Sequence, residues 1–307
     1  MFSIVIPLFN KAPFIRRAVD SVLNQSFKEF EIIVVDDGST DGGGDWVKEY
    51  YGDQIWFISK ENQGVSSARN IGISKASFPY VVFLDADDYW EPNFLFWIKE
   101  TIKSYPDLGI VGSGYTTDEK TNHLNKPEFQ VISDYFKIAD YNTLFTSSST
   151  VIRKDFFDHN IGFKEHIVKG EDLDVWFRAI AYFGTAYYVN APLVHYDTGA
   201  SEGSIQIPNF NRTVFSEIYN DNFLPKEAKS WAIFRDKFVL LNAWIFFADS
   251  RDRKEGIALI QRVQSGFNLA KLPYHLPKKL MEKIVISSQM KSWLRYYLKF
   301  CFRYIYT

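Results

Sequence analysis

FSIVIPLFNKAPFIRRAVDSVLNQ, Phe2 to Gln25, changes its period once. FSIVIPLF is an apolar run punctuated by Pro7 and Asn10, as a buried strand would be. After it, Phe14, Ile15, Ala18, Val22 and Leu23 fall at helical spacing, so the stretch predicts a strand followed by a helix. The pattern recurs as FEIIVVDDGSTD with DWVKEYY, QIWFIS with GVSSARNIGISKA, and YVVFL with EPNFLFWIKETIKSY. Four such units with nearly continuous apolar strands predict an α/β fold, a mostly parallel sheet covered by helices on both faces. In such sheets ligands bind beyond the carboxyl ends of the strands. The residues that follow the strands are therefore the informative ones.

Three of these turns carry chemistry. Pro7, Leu8, Phe9 and Asn10 follow the first strand, Asp36, Asp37, Gly38, Ser39 and Thr40 the second, and Asp85, Ala86, Asp87 and Asp88 the fourth. Carboxylates from separate strands thus meet at one edge. Like charges this close repel unless a cation or several donors neutralise them. Magnesium or manganese would do so, and magnesium typically completes a site of one or two carboxylates with waters and substrate phosphates. Taken alone, DAD reads more readily as a solvated turn capping the helix near Glu91. An EF-hand is excluded, because Trp90 and Phe96 stand where its glycine and glutamate are needed. No G-x-x-x-x-G-K-S/T run marks a P-loop, and the first turn, PLFNKAPF, lacks the glycines of a nicotinamide site.

The regular alternation ends at LGIVGSGY, and a polar loop is expected from Thr116 to Pro127. SSSTVIRKDFF reads as a strand into a helix, GEDLDVWFRAIAYFG as a helix with acids in its first turn, and TAYYVNAPLVHY as two short strands. Beyond Ser204 the pattern is mostly helical, from Phe210 to Ser250 and from Lys254 to Phe267. The expected organisation is a domain over 1–204, with one half to about 115 and another from about 116, followed by a helical extension over 205–307.

With 46% hydrophobic and 23% charged residues, the 307-residue chain has the composition of a globular protein rather than a disordered one. Its 35 basic and 37 acidic side chains give no field that would announce nucleic acid as a partner. The single cysteine, Cys301, excludes an internal disulfide and fits a reducing compartment. No signal peptide and no run of about 18 apolar residues is present, so a cytoplasmic protein is expected.

The segments IVIPLFNK, VVDDGSTDG, ENQGVSSARNIGI, FLDADD and GEDLDVWFR, in that order, resemble the inverting family 2 glycosyltransferases. The resemblance covers about Phe2 to His195 and implies the GT-A fold, a Rossmann-like, mixed and mostly parallel sheet, with a nucleotide-binding half over about 1–115 and an acceptor half over about 116–204. It also implies a metal-dependent transfer of a sugar from a nucleotide-sugar donor, a UDP-sugar, to a hydroxyl of a glycan or lipid-linked acceptor in cell-surface polysaccharide synthesis. The cofactor implied is Mn2+ or Mg2+. Residue by residue, it assigns Pro7, Phe9, Asp36 and Asp37 to the nucleotide, Arg69 and Asn62 to holding it, and Asp85 to the ribose. Asn70 stands open between donor contact and helix packing. Asp87 would coordinate the metal, with Asp88 a further candidate. His195, at a strand end, stands open between the metal shell and a hydrogen-bonded wall position. Asp172 is the expected general base and Glu171 its partner acid, although acids in a first helical turn also serve the helix dipole. Asp174 faces elsewhere. Asp197 to Ser204 reads either as a lid over the donor or as a plain loop. The alternatives are a non-catalytic nucleotide-sugar binder or membrane scaffold of the same fold and a nucleotidyltransferase, which would want a basic, glycine-rich first turn.

The tail carries a separate signal. From Lys271 onward eight Lys and Arg face one acid, Glu282, making that segment +7 and the rest of the chain −9. On a wheel of about 3.6 residues per turn, Lys291, Arg295, Lys299 and Arg303 share one side. Trp293, Leu294, Tyr297, Leu298, Phe300, Cys301, Tyr304 and Ile305 share the other, with Phe302 and Tyr296 out of place. This suits either a helix lying in a membrane surface or one packed on the protein body or another subunit. The first alternative would make the protein peripheral on the inner face of the plasma membrane.

Overall fold

The computed structural model describes residues 1–118, 127–140, 143–197, 209–224, 227–247 and 251–306. The chain divides into two compact units, one of Met1–Tyr135 with Leu144–Ile205, the other of Phe136–Thr143 with Gln206–Thr307.

The first unit begins with the expected alternation: β1 (Phe2–Leu8), α1 (Ala12–Leu23), β2 (Phe30–Asp36), α2 (Gly43–Tyr51), β3 (Trp56–Ser59), α3 (Val65–Lys75) and β4 (Tyr80–Phe83). It continues with β5 (Tyr89–Trp90), α4 (Phe94–Ser104), β6 (Ile110–Thr116), β7 (Glu128–Ile132), β8 (Thr150–Arg153), α6 (Asp155–His159), α7 (Glu171–Phe183) and β9 (Ala186–His195), while α5 (Tyr135–Ala139), between β7 and β8 in the chain, belongs to the second unit in all but its first residue. Among the described residues these strands form one nine-stranded sheet, ordered β3-β2-β1-β4-β8-β6-β9-β5, with β7 also on β9. The strands β3, β2, β1 and β4 run parallel, and β8 joins β4 and β6 antiparallel. Every residue of β1 and β4 is buried, as their continuous apolar runs require. At the edge, β3 leaves Trp56 66% exposed, because β2 covers only one of its sides.

Two local features place the functional edge. The last pair between β1 and β4 is Val5 with Phe83, and beyond it Pro7, with no N–H to give, pairs only toward Val35 of β2. The two strands therefore part at their carboxyl ends. Helix α3 lies close on β1: a Cβ at Gly72 would come within 2.2 Å of Val5 Cγ1, so only glycine allows this approach.

The sequence reading of TAYYVNAPLVHY as two strands is corrected. Ala186–His195 is one ten-residue strand, and Pro192 is accommodated by register shifts against Ser113, Gly114 and Tyr115 of β6. A bulge, not a chain break, absorbs the missing N–H.

The second unit holds α8 (Trp231–Asn242), α9 (Arg253–Gln261), α10 (Asn268–Lys271), α11 (Lys278–Ile286) and α12 (Ser288–Phe300), the last followed by a π turn over Cys301–Ile305. Helix was expected from Phe210, but 3-10 turns stand at Phe210–Arg212 and Val214–Ser216. There the Asn209 side chain takes the Asn211 N–H, and Thr213 Oγ1 donates to the Phe210 carbonyl. Such local bonds compete with a continuing helix. The buried Asp236 ties α8 to the end of α9 by accepting from Tyr219 Oη, Gln264 N, Ser265 N and Ser265 Oγ. Phe238 stacks on Phe215 beside it, at 5.5 Å.

Candidate active site

The acids after β4 stand in three different environments. Asp85 Oδ1 accepts from Arg69 Nη2 at 2.7 Å. Asp88 is 1% exposed and has both oxygens engaged, by Ser148 Oγ at 2.5 Å and by the Asp197 N–H at 3.0 Å. Burial, then the charge of Asp85, pushes its carboxyl up to about 7 against those two hydrogen bonds. Asp87 is more open and accepts from Lys11 Nζ at 2.7 Å through Oδ2, while its carbonyl takes Arg17 Nη2 at 2.6 Å.

Arg69 joins this turn to the start of α7. Only 3% exposed, its guanidinium reaches Asp85, Glu171 Oε1 at 3.1 Å and Ser147 Oγ at 3.3 Å. The two carboxylates outweigh the cost of its burial and hold it firmly charged. Its Nε is a buried donor with no protein partner among the described residues. Asp172, next to Glu171, is half-buried, and Ser147 Oγ lies 3.5 Å from its Oδ2. Loss of water first, and the neighbouring Glu171 second, lift its carboxyl to about 7, although Arg69 pulls the other way. Burial here outweighs the N-terminal position on α7, which by itself would favour the anion.

Asp36 and Asp37 sit two strands over, at the end of β2. Asp37 is 2% exposed and accepts from Lys60 Nζ, Gln63 N and Gly64 N, which fastens the β2 turn to the entry of α3. Gly38 makes this possible: its φ is +77°, and a Cβ there would lie 2.9 Å from Asn62 N. Asp36 Oδ1 takes the Ser39 N–H at 3.1 Å. Phe9 is 45% exposed at the mouth of the β1 turn, Pro7 is buried within β1, and Asn62 is exposed.

The structure brings Asp85, Asp87, Asp88, Arg69, Glu171 and Asp172 together at one sheet edge. The best witness is Tyr196, whose hydroxyl is raised by burial and then by the fields of Asp88, Asp85, Asp87 and Asp172 in turn. Asp36 and Asp37 connect to that group through α3, whose entry Asp37 holds and whose body carries Arg69. His195 lies in the wall: Nε2 meets Glu91 Oε1 at 2.5 Å, and the ring stacks on Tyr89 at 4.3 Å, with Arg17 4.5 Å from the Tyr89 ring centre. Asn70 ties α3 to the Phe163 backbone through two bonds of 2.8 Å. Asp174 is turned away into a buried pair with Arg178. Of the stretch read as lid or loop, Asp197 is described and pairs with Arg17 at 2.6 Å; the rest lies outside the described residues.

The sequence reading missed Lys11, Arg17, Ser147, Ser148 and Tyr196. The run SSS before β8 was the available signal, since small hydroxyl residues at a strand entrance suit a turn that bonds inward. Here Ser148 donates to Asp88 and accepts from Asp85 N, while its carbonyl takes Trp90 Nε1 at 2.7 Å.

A divalent cation fits this edge at Asp87. Asp88 has both oxygens engaged by protein donors, whereas Asp87 is bonded through Oδ2 alone, to the Lys11 ammonium. Among the described residues no three His, Cys, Asp or Glu side chains are grouped to hold a metal unaided. An oxygen-seeking ion would complete its shell from substrate phosphate and water.

Comparison with known proteins bears on family and fold. Residues 3–167 match Glycosyl transferase family 2. Glycosyltransferase GlyA of Streptococcus pneumoniae is 33% identical over 147 residues, 47% of this chain and 21% of that protein. The minor teichoic acid biosynthesis protein GgaA of Bacillus subtilis is 32% identical over 186 residues, 55% of this chain and 42% of that one. The chain spans only 21% to 36% of the length of the first curated relatives it matches. S. aureus TarS 1-349 in complex with UDP superposes with a TM-score of 0.60 at 19% identity, over 97% of this chain and 86% of that one, and so shares the GT-A fold. The chain belongs to glycosyl transferase family 2.

Proposed function

We propose that this family 2 chain transfers a sugar, with inversion, from a UDP-sugar to a hydroxyl of a growing glycan or lipid-linked glycan. The observation that carries the reading is Asp172: half-buried, with a carboxyl lifted to about 7, beside acids gathered by Arg69. A base with that affinity can take a proton near neutral pH and pass it on.

Asp172 accepts the proton of the acceptor hydroxyl as the oxygen attacks the anomeric carbon, and the bond from that carbon to the diphosphate breaks on the opposite face. The products are the glycoside, UDP and the proton on Asp172. Arg69 holds Glu171 off Asp172 and fixes Asp85 for the ribose. Lys11 and Arg17 set positive charge beside Asp87, where the diphosphate leaves. Asp87 would hold Mn2+ or Mg2+, which supplies charge to the departing diphosphate. Asp88 keeps the turn in shape through Ser148. Asp36, Asp37 and Phe9 border the nucleotide end.

TarS has been determined with both UDP and UDP-GlcNAc, which favours a uridine donor here. A lipid-linked acceptor would bring the protein to a membrane surface, held there peripherally. The test is a thermal-shift screen of nucleotide sugars with and without manganese. A manganese-dependent rise with UDP-sugars is expected, and a chain that none of them stabilises would refute the reading.

A further inference from the structure

The second unit ends in a helix with three faces where a wheel shows only two. Leu294, Leu298, Cys301 and Phe302 are buried against the unit, and Phe302 meets Phe267 at 5.6 Å. Trp293 (76% exposed), Tyr296 (69%), Phe300 (53%) and Tyr304 (65%) form a separate aromatic face on solvent. The cations make the third. Tyr296, out of place on a two-sided wheel, belongs to the aromatic face, and Phe302 to the buried one.

The aromatic face continues into an apolar groove of about 730 Å³, lined by Leu272, Leu276, Ile284, Met290, Trp293 and Tyr297 among others. Ile286, 79% exposed, and Leu280, 40% exposed, stand on α11 beside it. Single exposed apolar residues are ordinary, but a continuous aromatic patch with a groove marks an interaction site.

The charge of these helices is mostly positive, with Glu282 the one acid from Lys271 onward. Lys279, Lys283, Arg295 and Lys299 are exposed and have no acidic or aromatic partner among the described residues. The segment from Lys271 carries +7 against −9 for the remainder. Such an excess suits a surface that is negative throughout. Trp and Tyr rings favour the boundary between water and hydrocarbon. No described helix is long and apolar enough to cross a membrane, so any contact with a bilayer by these helices would lie along its surface.

We infer that α11, α12 and the π turn dock on an anionic phospholipid bilayer, with Trp293, Tyr296, Phe300 and Tyr304 at the interface and the groove receiving acyl chain. The four unpaired cations meet the phosphate headgroups. This deepens the lipid-linked acceptor reading but does not depend on turnover, because binding is measured without donor or acceptor.

The experiment is flotation of the full chain with phosphatidylcholine vesicles, with and without phosphatidylglycerol. Wild type is expected to float only with phosphatidylglycerol and to be released by salt. Replacing all four cations (Lys279→Gln, Lys283→Gln, Arg295→Gln, Lys299→Gln) should weaken binding at least about tenfold, each contributing at a charged surface. Trp293→Ser with Phe300→Ser should weaken binding while leaving the residue salt-sensitive. All six positions are exposed, so an unchanged thermal midpoint certifies the fold of each variant. The inference is overturned if wild type does not float, if it floats equally without phosphatidylglycerol, or if the fourfold variant floats like wild type. It is overturned equally if the aromatic variant merely dissolves an oligomer of a chain that ignores vesicles. A chain that floats but transfers no sugar would refute the catalytic reading and leave this one standing.

Discussion

The sheet edge of the first unit and the last helices of the second break opposite rules of folding. The edge buries carboxylates, of which Asp88 and Asp172 are held near 7, while the helices expose aromatic rings and leave Lys279, Lys283, Arg295 and Lys299 without an acidic or aromatic partner among the described residues. Each arrangement costs the free chain something that a ligand would relieve. At the edge the relief is electrostatic and needs a geometry exact to a hydrogen bond; at the helices it is desolvation of a surface and tolerates sliding. Substitutions should therefore be severe and specific at the edge and graded at the helices.

The largest test of that contrast is Asp172→Asn. It should cut transfer about a thousandfold or more, read as UDP release, while UDP-sugar affinity stays close to wild type. Next comes Arg69→Met, which strands Asp85 and Glu171. It should cost about 3 kcal/mol of unfolding free energy in urea, as losing one partner of a buried ion pair does. Asp87→Ala should weaken manganese-dependent UDP binding about tenfold by calorimetry and leave metal-free binding nearly unchanged.

A smaller effect sharpens the comparison through pH. The folded chain keeps the Asp172 proton up to about 7, whereas an unfolded aspartate releases it near 4. The folded state thus binds more protons between those values, and this group lowers stability as pH rises from about 4 to about 7 and adds nothing further above. Asp172→Asn should accordingly raise the thermal midpoint by a few degrees at pH 8 relative to wild type, with little gain at pH 4. Turnover of wild type should climb as pH passes through about 7, when the base loses its proton. Smallest of all, Phe300→Ser should change unfolding free energy by no more than about 0.5 kcal/mol, because its ring is already half in water. A loss as large as that of Arg69→Met would erase the distinction between the two regions.

Much of the edge was legible because period and punctuation are local. Continuous apolar runs named β1, β2 and β4, and acids immediately after them announced where charge would gather. What was not legible depended on distant partners. Nothing near Ser148 in sequence says that it will meet Asp88, and nothing near Lys11 points to Asp87. Pro192 looked like an end because the reading had no means of seeing the bulge against β6. The tail shows the same limit: a wheel separates basic from apolar residues but cannot tell which apolar residues the unit itself will cover, and that division decides whether Trp293 and Phe300 are core or surface.

The close approach of Gly72 to Val5 has a consequence for anyone reading alleles of this chain. A geneticist collecting inactive variants would find Gly72→Ala among them, inside a helix, touching no reacting group. The added methyl lifts α3 from the sheet, and with it both the entry pinned by Asp37 and the guanidinium that keeps the acids in order, so the lesion would look structural in place and catalytic in effect.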